Sequence, residues 1–206
     1  MIRKLSYLLM IFGFIVILIG GFQFITTNMA QNESLTKAYK ILNETKRESV
    51  EKGSPVFFPN TGETIGILEI PKIKGELPVV EGTDEDELER GVGHFSGSAY
   101  PTQQDQIVLS GHRDTVFRRM GELEVGDLLI IHLSYGSFTY QIEHTRIVDE
   151  QDQTVIKSTA PNEELVVTTC YPFTYVGKAP DRYIITAYPV KQKKRLLTSL
   201  FSLFKI

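Results

Sequence analysis

Residues 5–25 form a run of 21 in which only Ser6 and Gln23 are clearly polar. At about 1.5 Å per residue, a helix of that length spans the roughly 30 Å hydrocarbon core of a bilayer. Arg3 and Lys4 precede the run, and no basic residue follows it until Lys37. The positive-inside rule then sets the amino end in the cytoplasm and the rest of the chain outside. A cleaved secretory signal is the rival reading, but its apolar region is usually only about 7–15 residues and ends in an A-x-A-like site. Here the exit reads Thr26-Thr27-Asn28-Met29-Ala30, without the small residue three before the cut. The sequence therefore predicts an uncleaved signal anchor.

That location makes the cysteine count informative, because extracytoplasmic cysteines usually pair. Cys170 is the only cysteine of the 206 residues, so no internal disulfide can form. It is either a reactive thiol or a buried, inert small hydrophobe. Charge narrows the function classes further. Two of the 22 bases fall in residues 1–4 and five in residues 191–206, where none of the 25 acids lies, so the body between carries a net charge of −10. A body that acidic lacks the basic face expected of a nucleic-acid binder.

Beyond the anchor, residues 26–62 read as a stalk. Leu35, Ala38, Tyr39 and Leu42 make one helical stripe, which Gly53 and Pro55 are expected to end. From Thr64 the composition turns to short β-branched and aromatic runs separated by turn residues. The runs are residues 65–70 up to Pro71, then 78–80, 107–109, 128–131, 138–142, 146–148, 165–169 and 183–188. Only short helices interrupt them, the clearest opening at Thr83-Asp84-Glu85-Asp86, a capping-box-like start, and stopping at Gly91. Seven or eight strands without regular βαβ alternation predict a closed or nearly closed, mostly antiparallel barrel over residues 63–190. The tail, residues 191–206, joins Lys191, Lys193, Lys194 and Arg195 to a nine-residue stretch too short to span a bilayer. It fits either the membrane interface, against anionic lipid headgroups, or a segment packed on the domain.

Three stretches carry candidate chemistry. Ser110-Gly111-His112-Arg113-Asp114-Thr115 follows one predicted strand, Val167-Thr168-Thr169-Cys170 closes another, and Asp181-Arg182-Tyr183 opens the next. A thiol, an imidazole and a guanidinium at strand ends fit a nucleophile, an acid/base and an oxyanion stabiliser. The thiolate is the nucleophile, and an imidazole can take its proton or deliver one to a leaving amine. A guanidinium is always charged and offers several donors to a developing oxyanion. Taken singly, a strand-end Arg or a lone His is more often structural. His132 and His144 lie on or beside strands and read as packed or solvent-facing. His94, in the glycine-rich Gly91-Val92-Gly93-His94-Phe95, is the rival to His112. The acidic run from Asp84 to Glu89 lacks the spacing of a calcium loop and reads as a solvated helix face. No metal site or cofactor is expected.

Together these residues resemble the sortases, membrane-anchored cysteine transpeptidases of Gram-positive cell surfaces. The resemblance covers residues 64–190. The family's T-L-x-T-C motif is similar to Val166-Val167-Thr168-Thr169-Cys170, which departs from it at the first two positions. The family's catalytic His lies in a stretch like residues 110–115, and its Arg about a dozen residues beyond the Cys. The resemblance thus implies Cys170, His112 and Arg182 as the catalytic set and a structural role for His94. Residues 170–182 look most like class D. The class C enzymes commonly add a lid loop and a carboxy-terminal transmembrane helix.

The implied fold is an eight-stranded β-barrel. The implied reaction cleaves an L-P-x-T-G/A-like sorting signal after its Thr, through an acyl-enzyme on Cys170. The carried protein then passes to a peptidoglycan precursor amine. Ser110 and Thr169, which precede His112 and Cys170, are expected to line the substrate groove. Expected partners are surface proteins bearing such a signal, the precursor amine and membrane lipid. Three other readings remain. An L,D-transpeptidase would need a Ser-x-Gly-Cys nucleophile motif, which is not present. A simple cysteine protease and a tethered, non-enzymatic scaffold or adhesin are the others.

Overall fold

The computed structural model describes residues 2–48, 57–174 and 177–190. The predicted stalk stop at Gly53 and Pro55, and the basic tail at 191–206, lie outside the described residues. A single helix, α1 (Ile2–Glu48), runs through both the apolar run and the stalk stripe. No proline occurs in it, so nothing removes a backbone donor from its ladder. Its apolar side chains from Leu5 to Ile25 are exposed, and the helix is long and apolar enough to cross a membrane. The stripe in its second half packs on the rest of the molecule. Ser34 and Ala38 are buried, Gln31 donates to the Glu89 carbonyl at 3.4 Å, and the Tyr39 hydroxyl donates to Glu76. That bond, more than burial, pushes the Tyr39 hydroxyl up to about 12.

Eight strands follow: β1 (Thr64–Ile70), β2 (Gly75–Glu81), β3 (Val92–His94), β4 (Gln106–Gly111), β5 (Leu128–Leu133), β6 (Gly136–Asp149), β7 (Glu164–Tyr171) and β8 (Asp181–Pro189). They close in the order β1-β2-β3-β4-β7-β8-β6-β5. Closure leaves no unpaired sheet edge. All neighbours are antiparallel except β2–β3 and β4–β7.

The total of eight agrees with the predicted barrel, but two strands differ from the runs that suggested them. Residues 138–142 and 146–148 belong to one strand, β6, which pairs with β8 through the polar gap and bulges between Ile142 and His144. Backbone pairing is indifferent to side-chain polarity where the strand faces solvent, so the gap is no break. The added strand is β3, in the segment read as a glycine-rich loop. Its three residues hold one aliphatic side chain and are recruited by β2 and β4 on either side. The short helix α2 (Glu85–Arg90) has Asp84 rather than Thr83 at its N-cap, and Gly91 ends it.

The core lies inside the barrel. Leu68, Ile70, Ile107, Leu109, Leu129, Tyr140, Leu165, Val167 and Ile185 meet there. A second apolar cluster sits on the outer side of three adjacent strands: Val108, Val166 and Ile184, with Val155 and flanking Phe95 and Val148. Strands covered on both sides read as continuous apolar runs rather than alternating ones. Residues 107–109 and 165–167 are of this kind, and their outer cover is the floor on which the site is built.

Candidate active site

The site forms where β4, β7 and β8 end side by side. In the parallel β4–β7 ladder Ser110 pairs with Thr168 and Gly111 with Thr169. One residue further along each chain stand His112 and Cys170. In the antiparallel β7–β8 ladder Cys170 pairs with Arg182 and Thr168 with Ile184. Paired residues share a face, and successive residues of a strand alternate faces. Val166, Thr168, Cys170, Ile184 and Arg182 therefore lie on the outer face, with Val108 and Ser110. Neighbouring strands run about 4.8 Å apart, which brings the ends carrying His112, Cys170 and Arg182 together across three strands. Cys170 is half-buried, with a free thiol.

His112 and Arg182 are each held by their surroundings. The carbonyls on either side of His112 are both engaged. Thr169 Oγ1 donates to the Gly111 carbonyl at 2.7 Å, and the Phe117 amide donates to the His112 carbonyl at 3.0 Å. Gly111 is needed there because a Cβ would stand 2.6 Å from the Phe117 ring and 2.8 Å from Val116. His112 Nε2 lies 3.6 Å from a carboxylate oxygen of Glu85 at the start of α2. The Arg182 guanidinium has three acceptors. Nη1 donates to the Ala179 and Asp181 carbonyls at 3.2 and 3.0 Å, and Nη2 to Glu150 at 3.3 Å. Arg113 Nη2 donates to the Gly177 carbonyl at 2.7 Å, joining the turn after β4 to the β7–β8 loop.

Of the two weaker sequence candidates, Ser110 lies on the Cys170 face. Thr169 does not. Its side chain is 3% exposed and its hydroxyl is committed to Gly111. Strand alternation alone carries that information, since adjacent residues cannot share a face. The sequence reading placed Glu85 on a solvated helix face and did not single out Glu150. They reach the site from α2 and from the end of β6, and no local pattern marks either.

His94 is 1% exposed and away from this cluster. Its Nδ1 lies 2.8 Å from Glu81 Oε2, and its Nε2 lies 3.0 Å from the Ala99 carbonyl and 3.1 Å from Ser98 Oγ. Tyr100 stacks on the ring and donates to the same Glu81 oxygen at 2.6 Å. Burial pushes the Glu81 carboxyl up, but the hydrogen bonds from His94 and Tyr100 outweigh it and hold the group below the usual range. Burial and the Glu81 charge together drive the Tyr100 hydroxyl up. His94 thus ties β3 to β2 and the following turn. His132 bridges Ser137 and Glu69, each at 2.8 Å. Among the described residues, no three His, Cys, Asp or Glu side chains group to hold a metal ion.

Comparison with known proteins shows what this chain is similar to. Residues 68–190 match the family model for the sortase domain. The chain is 53% identical over 180 residues to Sortase D of Bacillus subtilis (strain 168), covering 84% of this chain and 91% of that one. Among solved structures, a Sortase D5 transpeptidase of Clostridium perfringens superposes with a TM-score of 0.65 at 25% identity, over 79% of this chain and 99% of that one. A sortase of Actinomyces oris gives 0.60 at 27% identity, over 66% and 86%.

Proposed function

This chain belongs to the sortase family of cysteine transpeptidases, and from that premise we propose that it cleaves a Leu-Pro-x-Thr-Gly/Ala-like signal after Thr and passes the carried protein to a peptidoglycan amine. The observation that carries the assignment of roles is the direct pairing of Cys170 with Arg182 across β7–β8, with His112 one residue past the Gly111–Thr169 pair of the β4–β7 ladder.

Cys170 Sγ, as thiolate, attacks the Thr carbonyl carbon. The carbonyl oxygen takes up the negative charge, and the Arg182 guanidinium donates to it. His112, as imidazolium, gives its proton to the departing nitrogen of the next residue. The C–N bond breaks, and a thioester remains on Cys170. An incoming amine then attacks that carbon, neutral His112 takes its proton, and the C–S bond breaks to return the thiolate. The signal peptide runs past Ser110 and Thr168 on the outer face toward Cys170. Thr169 acts from below, through the Gly111 carbonyl. Arg3 and Lys4 at the foot of α1 support an orientation with the amino terminus in the cytoplasm and the barrel outside.

The test uses the full chain in detergent micelles with peptides bearing Leu-Pro-Asn-Thr-Ala or Leu-Pro-x-Thr-Gly, with and without an amine, read by intact mass. The expected result is an adduct on Cys170 that is absent in Cys170→Ala and is released by the amine as a new amide. Release at the same rate with and without amine marks a protease. No adduct with either peptide overturns the sorting-signal assignment.

A further inference from the structure

We propose, resting on the reading of Arg182 as the oxyanion donor, that Glu150 is the positioning residue that fixes the plane of its guanidinium. The β6–β8 ladder pairs Val148 with Arg182. Glu150 is two residues beyond Val148 and so is directed to the same face, diagonal to Arg182. Its amide donates to the Pro180 carbonyl at 2.9 Å, which continues the alignment past the end of the strand. Its carboxylate then meets Arg182 Nη2 at 3.3 Å through one oxygen and Lys178 Nζ at 3.4 Å through the other.

The two Arg182 contacts to carbonyls both involve Nη1 and both come from the chain just before it. They leave the planar fork free to swing about that nitrogen. The bond from Nη2 to Glu150 is the one that comes from another strand, and a third acceptor at a second nitrogen fixes a plane. Both partners are largely screened from solvent, with side chains 30% and 24% exposed, whereas Lys178 is 85% exposed. An exposed pair such as Lys178–Glu150 orders little. An oxyanion donor works only when it is aimed before the charge develops, because reorientation during the reaction forfeits the gain. Glu150 supplies that aim without touching the substrate.

The experiment compares Glu150→Ala, Lys178→Gln, Arg182→Ala and Glu150→Ala/Arg182→Ala in the full chain, with the Leu-Pro-Asn-Thr-Ala peptide. We expect Glu150→Ala to lower kcat for acylation about 10-fold, a fraction of what a lost oxyanion donor costs, with KM within about twofold. Lys178→Gln should change kcat by less than about twofold. In the Arg182→Ala background, removing Glu150 should cost nothing further, because a residue acting only through Arg182 has nothing left to position. Should Glu150→Ala fail to fold, Glu150→Leu, which fills the space and offers no acceptor, is read by the same criteria. A Glu150 variant with wild-type kcat overturns the proposal, as does an equal loss in the Arg182→Ala background or a Lys178→Gln loss of the same size. An Arg182→Ala enzyme with wild-type kcat instead sinks the underlying role of Arg182.

Discussion

Cys170 and Arg182 are direct cross-strand partners in the β7–β8 ladder. A thiol and a guanidinium twelve residues apart in sequence thus stand on one face within one strand spacing. The connection between them need only turn back, and the ladder sets the rest. His112 arrives from the other side by the parallel β4–β7 register. Cys170 occupies the middle strand of three, so His112 and Arg182 approach it from either side without crossing the barrel.

The guanidinium geometry gives the first prediction. Arg182→Lys keeps the charge and discards the fork, so acylation should fall about 100-fold, the scale of one lost oxyanion donor. Steady-state turnover of the signal peptide checks this. A Lys enzyme within a few-fold of wild type would show that charge alone suffices.

Gly111 should not tolerate a side chain. A methyl group there meets the ring of fully buried Phe117 at 2.6 Å, and overpacking of this kind costs about 1–3 kcal/mol. Gly111→Ala should lower the denaturant midpoint, and turnover should fall as well because His112 is the next residue. An unchanged midpoint would mean that the turn after β4 yields readily.

Thr169 should matter for stability and not for peptide affinity. Thr169→Val removes the hydroxyl that donates to Gly111, at a cost of about 1 kcal/mol. KM should stay within about twofold, because the side chain faces away from the groove. A raised KM at unchanged stability would place Thr169 in contact with the peptide after all.

The His94–Glu81 pair predicts an acid-sensitive stability increment. His94→Ala removes a buried hydrogen-bond donor to the Glu81 carboxylate, at a cost of about 1–3 kcal/mol, so this variant should unfold below wild type while its folded fraction keeps the Cys170 chemistry. The Glu81 carboxyl titrates lower in the folded chain than its ordinary 4.5. Its contribution is therefore complete above pH about 4.5 and is lost as the pH falls through the lower, folded value. Wild type minus Glu81→Gln, followed by denaturation across pH, should be constant near neutrality and shrink below that pH. A difference that grows on acidification would reverse the sign of the linkage.

The three candidate site residues were legible because they sit in local motifs at strand ends, and a motif is a local object. The strand total was legible for a less secure reason. The merging of two runs into β6 offset the appearance of β3, and neither event is written in short-range composition. β3 exists because β2 and β4 offer it partners. β6 is continuous because β8 pairs through a stretch whose side chains face water. The assignment of Thr169 to the groove overlooked strand alternation, a signal the sequence did contain.

By itself, the sequence determined the apolar helix, the β-rich body, the lone thiol and the identity of its candidate helpers. These follow from hydropathy, periodicity and motif spacing, all properties of neighbouring residues. Only the tertiary structure decided that α1 seats Ser34 and Ala38 against the barrel. It alone aligned three strand ends on one face and brought Glu85 to His112 and Glu150 to Arg182. Those contacts join residues tens of positions apart through strand register and closure of the barrel, and register is a relation between chain segments that no single segment carries.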